Sequence, residues 1–258
     1  MRRIIRDLGS IHTDRLDRRT IRNWHDQLLA DESVRIANAT LTCLSSILQR
    51  AVEDDRIPTN VARGVRRHPE TREPITVPTD EDVIRLAITA PTMEARCMLM
   101  IAVYAGVRQG ELFALHGADL QPGRLVVRRA VGADQSLKTT KTGKHRIVPL
   151  PGPISDSLHD ALGSVPDDKL LFQAPRGGVK NRSRWAMQEW KPWREAAEVD
   201  VQWQHFRHYF ASSISSAGAT IAQCCAWMGH ASIQTTISRY VHLFDADEQR
   251  VMKRLTER

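Results

Sequence analysis

The 258-residue chain has little cysteine. Cys43, Cys97, Cys224 and Cys225 include no C-x-x-C pair, which excludes a cysteine zinc ribbon or a dithiol redox centre and leads us to expect free thiols in a reducing compartment. Long apolar runs are also missing. No stretch approaches the roughly 18 to 20 residues of a membrane helix. The opening MRRIIRDLGS lacks the apolar segment and small-residue cleavage site of a secretory signal, so a cytoplasmic protein with no membrane partner is expected. There is no P-loop, no H-E-x-x-H zinc helix and no internal repeat. What is present suits a folded chain. Hydrophobic residues make up 41% and charged residues 26%, too apolar and too well mixed for wholesale disorder. The length fits one large domain or two small ones. An excess of 37 Lys and Arg over 30 Asp and Glu leaves +7, a balance that points towards nucleic acid through phosphate neutralisation and counterion release.

Asp17 can cap a helix in which Ile21, Trp24, Leu28 and Leu29 share a face. A second helix is predicted from Ser33 to Asp54, with Ile36, Leu41, Leu44, Ile47, Leu48 and Val52 as its stripe and Ile57-Pro58 past its end. From Arg63 to Pro78 the text RGVRRHPETREPITVP has the character of an exposed connector. The expected division is a helical domain over 1–65, a basic linker over 66–78 and a second domain over 79–258. Arg63, Arg66, Arg67 and Arg72 are either solvated charge or a strap for DNA phosphates.

Thr79 before Asp80, Glu81 and Asp82 signals a helix start. Helices are predicted over 93–105 and 110–115, then a strand in RLVVRRAV and another in HRIVPL that pair across KTTKTG. Further helices are predicted over 154–162, 185–197, 206–217 and 221–228, with a last one near the C-terminus. The expected fold is mainly α with a small antiparallel β-sheet.

Two segments carry chemistry. In Gly106-Val107-Arg108-Gln109-Gly110-Glu111-Leu112, glycines on both sides of an arginine permit close approach of backbone and ligand, while Arg108 and Glu111 at i, i+3 also read as a structural ion pair. The second is Gln204-His205-Phe206-Arg207-His208, followed by Trp227-Met228-Gly229-His230 and Tyr240. Two arginines, loop lysines, a histidine after glycine and a late tyrosine are the parts needed to cleave a phosphodiester without metal. Guanidinium forks can hold the non-bridging oxygens and stabilise a pentacovalent transition state. A tyrosine can serve as nucleophile and a lysine as the acid that protonates the leaving alkoxide.

With these parts in this order, the chain resembles the tyrosine recombinase, or phage integrase, family. A-G-V-R-Q-G-E-L is similar to its first arginine box, T-K-T-G-K-H-R-I-V-P-L to its β-hairpin lysine segment, and H-F-R-H-Y-F-A-S-S with M-G-H-A-S-I-Q-T-T-I-S-R-Y-V-H to its C-terminal box. The resemblance implies a DNA breaking-rejoining catalytic domain behind a helical core-site DNA-binding domain. It makes Arg108 and Arg207 the phosphate clamp, Glu111 the support of the first arginine and Tyr240 the nucleophile that forms a 3′-phosphotyrosyl link. Lys141 becomes the general acid, with Lys138 and Lys144 contacting DNA. Alternatively, all three lysines only touch phosphate. His230 would hydrogen-bond the scissile phosphate, or cap a helix, and His208 is a supporting residue. The family uses no ATP, no cofactor and no obligatory metal. Its partner is a double-stranded core-type recombination site, on which a chain that is a monomer in solution assembles as a tetramer spanning two DNA sites.

This chain departs from the pattern at Gln204, where the family usually has histidine. His205 is adjacent, but one helical step turns a side chain by about 100°. Gln204 can donate an amide hydrogen bond but cannot shuttle a proton. Met1 leaves no room for the additional arm-site domain of many integrases, so the expectation is either a minimal integrase of a phage or other mobile element that uses a simple core site, or a start-shortened or truncated version of a longer one. The competing expectations are a catalytically weak or inactive DNA-binding protein of the same fold, and a metal hydrolase built on His205, His208 and His230. The latter lacks an H-E-x-x-H pair and an evident carboxylate.

Overall fold

The computed structural model describes residues 2–70, 76–139 and 145–229. The chain divides into two compact units, Met1–Pro74 and Ile75–Arg258.

The first unit contains α1 (Arg2–Leu8), α2 (Arg18–Asp31) and α3 (Val34–Glu53). Asp17 starts α2 by accepting the Thr20 N–H at 2.6 Å, and the Ser33 hydroxyl starts α3 by accepting the Ile36 N–H. Ile21, Trp24 and Leu28 of α2 pack against Ala37, Leu41, Leu44 and Leu48 of α3. Ile36 and Ile47 are instead 39% exposed, because the 4-3-4 spacing from Ala37 to Leu48 defines the buried stripe and leaves both isoleucines at its margin. Helix α1 is not foreseen from the sequence. It contributes only Ile4 and Leu8 to this core and is tied down where Trp24 Nε1 donates to Asp7 Oδ2 at 3.0 Å. Residues 66–70 remain with this unit. Asn38, almost fully buried on α3, accepts the His68 N–H and donates to the His68 carbonyl.

The second unit opens with α4 (Asp80–Ile88), started by a reciprocal capping box between Thr79 and Asp82. Helix α5 (Met93–Ala105) buries Cys97, Met98, Leu99, Ile101, Ala102, Val103 and Ala105, so it is covered on most of its circumference and forms the centre of the unit. A single turn, α6 (Gln109–Leu112), follows. Strands β1 (Leu120–Gln121), β2 (Arg124–Val127) and β5 (Arg146–Pro149) form an antiparallel sheet in the order β1-β2-β5, with Leu125 opposite Val148. Strands β3 (Arg129–Val131) and β4 (Leu137–Thr139) form a separate pair.

The single strand expected over RLVVRRAV is therefore split at Arg128. Arg128 and Arg129 both reach Asp119, which is 1% exposed. Consecutive residues of a regular strand point to opposite faces, so two neighbours aimed at one carboxylate break the ladder.

Beyond α7 (Gly152–Leu162), the helix expected from Trp185 begins three residues earlier. Asn181 caps it through the Arg184 N–H, and the helix runs as α8 (Arg182–Trp185), a π turn over Ala186–Trp190 and α9 (Lys191–Ala196). The wider turn brings Trp185 and Trp190, five apart, into parallel stacking at 6.2 Å. Trp203 and Phe206 meet Trp190 edge-on. Two further helices, α10 (His205–Ser216) and α11 (Ile221–Met228), pack on one another, α10 against α5 and α11 against β5. The helix expected near the C-terminus lies outside the described residues. No helix among the described residues is long and apolar enough to cross a membrane. The architecture is the expected one, mainly α with small antiparallel sheets.

Candidate active site

Helix α5 ends at Gly106, which takes the left-handed conformation with φ of +56°. Only glycine suits this position, because a Cβ would fall 2.2 Å from the Phe210 ring. The turn delivers Arg108 to the start of α6. Helix α11 ends in the same way at Gly229, with φ of +63°. Arginines from other elements satisfy carbonyls at both helix ends. Arg207 of α10 donates from Nη1 to the Gly106 carbonyl at 2.6 Å and from Nη2 to the Met228 carbonyl. Arg146 of β5 donates from Nε to the Trp227 carbonyl at 2.8 Å. Placing cations at helix C-termini complements both the unpaired carbonyls and the negative end of the helix dipole.

Glu111, 4% exposed, links Arg146 to Arg108. Its Oε1 accepts from Arg108 Nη1 at 3.0 Å and from Arg146 Nη1 at 2.9 Å. Its Oε2 accepts from the Arg108 backbone N–H at 2.7 Å and from Arg146 Nη2 at 2.6 Å. Burial alone would raise the carboxyl's pKa. The hydrogen bonds and charge of Arg146, with the N–H and charge of Arg108, overcome that and hold it at about 2. Glu111 thus supports Arg108, and its more buried partner is Arg146, with a side chain 11% exposed against 49% for Arg108. Sequence reasoning did not single out Arg146. The available signal was strand alternation, which puts residue 146 in phase with fully buried Val148 and turns a cation inward.

Arg108, Gln204 and Arg207 line one cleft of about 450 Å³, together with Glu111, Arg182, Trp190 and Trp203. Arg182 was not foreseen either. It donates to the Val131 carbonyl and packs so tightly on Gly110 that a Cβ there would collide with its guanidinium. Gln204 sits at the N-terminal boundary of α10. The His205 ring instead accepts the Gln202 N–H at 3.2 Å and does not line the cleft. Among the described residues, neither His205 nor His208 belongs to a group of three possible metal ligands. A second hollow of about 530 Å³, between α1 and α2, holds none of the candidate site residues.

Lys138 pairs with Asp134 at 2.9 Å beside the β3–β4 turn, and that hydrogen bond, with one from Ser136, holds Asp134 at about 2. Arg63, Arg66 and Arg67 are exposed on the first unit. Lys141, Lys144, His230 and Tyr240 lie outside the described residues. Of the two other tyrosines, Tyr209 is half-buried and donates its hydroxyl to Asp80 at 2.7 Å. Burial and the adjacent carboxylate push its pKa up to about 12.

A family model described as the phage integrase family matches residues 79–247. Among individual proteins, IntQ of Escherichia coli (strain K12), whose name carries the word defective, is 30% identical over 131 residues, covering 48% of this chain and 32% of that protein. Tyrosine recombinase XerC of Roseiflexus sp. (strain RS-1) is 27% identical over 179 residues, covering 63% of this chain and 53% of that protein. This chain therefore spans about half or less of the length of these two relatives. The fold is similar to that of the Tn1549 transposon integrase solved in complex with a circular intermediate DNA. That likeness has a TM-score of 0.76 at 18% identity and covers 98% of this chain and 90% of the other.

The unequal burial of the two arginines gives a direct expectation for stability. Arg146→Met removes the inner partner of a buried carboxylate and should cost about 3 to 5 kcal/mol. Arg108→Met removes a half-exposed, solvent-screened partner and should cost about 1 kcal/mol or less. Urea denaturation at neutral pH measures both. The depressed Glu111 pKa also fixes a pH window. A carboxyl that is more acidic when folded stabilises the native state above its unfolded pKa of about 4.5. That stabilisation is lost as pH falls through the folded value of about 2. Denaturation midpoints between pH 5 and 2 should therefore fall more steeply for the native protein than for Glu111→Gln.

Proposed function

Because this chain belongs to the phage integrase family, we propose that it is a site-specific recombinase that cuts and rejoins duplex DNA through a 3′-phosphotyrosyl intermediate. The observation that carries this reading is the convergence of Arg108, Arg207 and Gln204 on one cleft, with both arginines anchored from behind. Such a site is prepared to receive a phosphodiester before DNA arrives, the condition under which guanidinium groups stabilise a transition state most effectively.

In the proposed reaction, Arg108 and Arg207 hold the non-bridging oxygens of the scissile phosphate. The Tyr240 hydroxyl gives up its proton to solvent and its oxygen forms a bond to phosphorus as the P–O5′ bond breaks, while Lys141 gives its own proton to the departing 5′ oxygen. The free 5′-hydroxyl of the partner strand then attacks the phosphotyrosine and releases Tyr240. One phosphodiester is exchanged for another, so no ATP is needed. Gln204 and His230 hydrogen-bond the phosphate, while Glu111, Arg146 and His208 position the groups that touch it. Tyr209 is a poor competitor for Tyr240, since its proton is bound to a carboxylate and hard to remove.

The substrate is a core-type duplex site, contacted also by Lys138, Lys144 and the arginines 63, 66 and 67. The assembly is a tetramer on two such sites, formed from monomers, and the role is integration or excision of a phage or other mobile element. The fold likeness to a transposon integrase solved with DNA supports that role. Gln204 favours a second reading, a catalytically weak or inactive DNA-binding protein of the same fold, because an amide lines the cleft where the family usually has a proton-transferring imidazole.

A nicked suicide duplex carrying the cognate core site, incubated with the protein without metal, separates the two. The recombinase reading expects an SDS-resistant protein–DNA adduct that Tyr240→Phe abolishes, with Gln204→His equalling or exceeding the native adduct yield. Tight binding without adduct by the native protein establishes the second reading.

A further inference from the structure

The first unit contains a cluster that plays no part in the proposed reaction. His25 of α2 is fully buried, and neither ring nitrogen has a hydrogen-bond partner. Leaving such a group unpaired inside a protein is costly, so it calls for an explanation. Its ring lies 4.5 Å, centroid to centroid, from that of His68. His68 Nε2 is 3.0 Å from Asp26 Oδ1, an ion-pair distance, but this nitrogen makes no hydrogen bond. One donor atom each from His25, Asp26 and His68 falls within 4.8 Å of the others.

We propose that His25, Asp26 and His68 bind a divalent transition metal, with zinc the best match, at a site that fastens residues 66–70 to α2. Two imidazoles and one carboxylate form a donor set suited to zinc, with water in the fourth tetrahedral position. Neighbouring donors around zinc are about 3.3 Å apart, so donors at the 4.8 Å limit of the cluster must close by about 1.5 Å, through rotation of the accessible Asp26 and His68 side chains. Asp26 is 54% exposed and provides the entry path, while fully buried His25 forms the inner wall.

The surroundings also fit. Ligating histidines generally have an outer partner that fixes the ring. Asn38 is almost fully buried beside His25, and it grips His68 through that residue's backbone N–H and carbonyl. The same residue therefore holds His68 near the cluster. A bound ion would join α2 to the segment in which Arg66 and Arg67 immediately precede His68, reducing the freedom of two exposed cations. This role is separate from the chemistry proposed for the second unit, which uses no metal.

The test uses the whole chain, stripped with EDTA, dialysed and titrated with zinc sulfate. Calorimetry should give one zinc per chain, and melting should shift to higher temperature with saturable zinc dependence. His68→Ala and Asp26→Asn, both at solvent-accessible side chains, should weaken binding at least tenfold while their zinc-free melting temperatures stay near that of the native protein. Cobalt substitution should give the visible spectrum of a tetrahedral site with nitrogen and oxygen donors, absent in His68→Ala. Failure of the native protein to bind zinc, or equal binding by the native protein and both variants, overturns the assignment.

Discussion

A carboxylate buried in the second unit must be matched by positive charge, and much of the site's geometry follows from how Glu111 meets that demand. It accepts four hydrogen bonds, two from Arg146 and two from Arg108. Arg146 is fixed in turn by the last turn of α11, and the carbonyl next along, that of Met228, is taken by Arg207. Arg207 also holds the Gly106 carbonyl, where α5 ends and the chain turns towards Arg108. The connections form a closed circuit through α5, α6, β5, α10 and α11. Because each guanidinium satisfies groups that would otherwise be buried and unpaired, moving any one element exposes a polar deficit in another.

The circuit suits the proposed phosphate chemistry. An arginine that must hold a transition state gains from being positioned in advance, since orientation completed during folding need not be paid for during reaction. Two left-handed glycines serve the same end. Gly106 and Gly229 terminate their helices abruptly, so that neighbouring carbonyls point at guanidinium groups instead of continuing a helical ladder. A Cβ at Gly229 would lie 3.0 Å from the Arg146 side chain, which shows how closely backbone and cation approach there.

Much of the fold was legible because it rests on local signals. Asp17 and Thr79 are helix caps in sequence and in structure, Ser33, expected as the first residue of its helix, is its cap, and the apolar stripes of α2 and α3 follow helical periodicity. Features that depend on distant partners were hidden. The split at Arg128 requires knowing that Asp119 is buried, and the π turn follows from packing among Trp185, Trp190 and Trp203. Within the site, Arg108, Glu111, Gln204 and Arg207 could be named from short boxes. Arg146 and Arg182 could not, because their importance comes from carbonyls and a carboxylate 35 to 81 residues away. His68 was legible only as part of a basic, proline-containing connector, while its proximity to His25 is a property of the folded unit.

The dependence of the proposed chemistry on the Glu111 circuit is tested most directly by a double-mutant cycle on Glu111→Gln and Arg146→Gln, with single-turnover adduct formation on the cognate duplex as the readout. Residues that act on Arg108 as one unit give strongly non-additive effects. We predict that the double variant is slowed about as much as either single variant. Losses that multiply independently would contradict the view that Arg146 acts through Glu111.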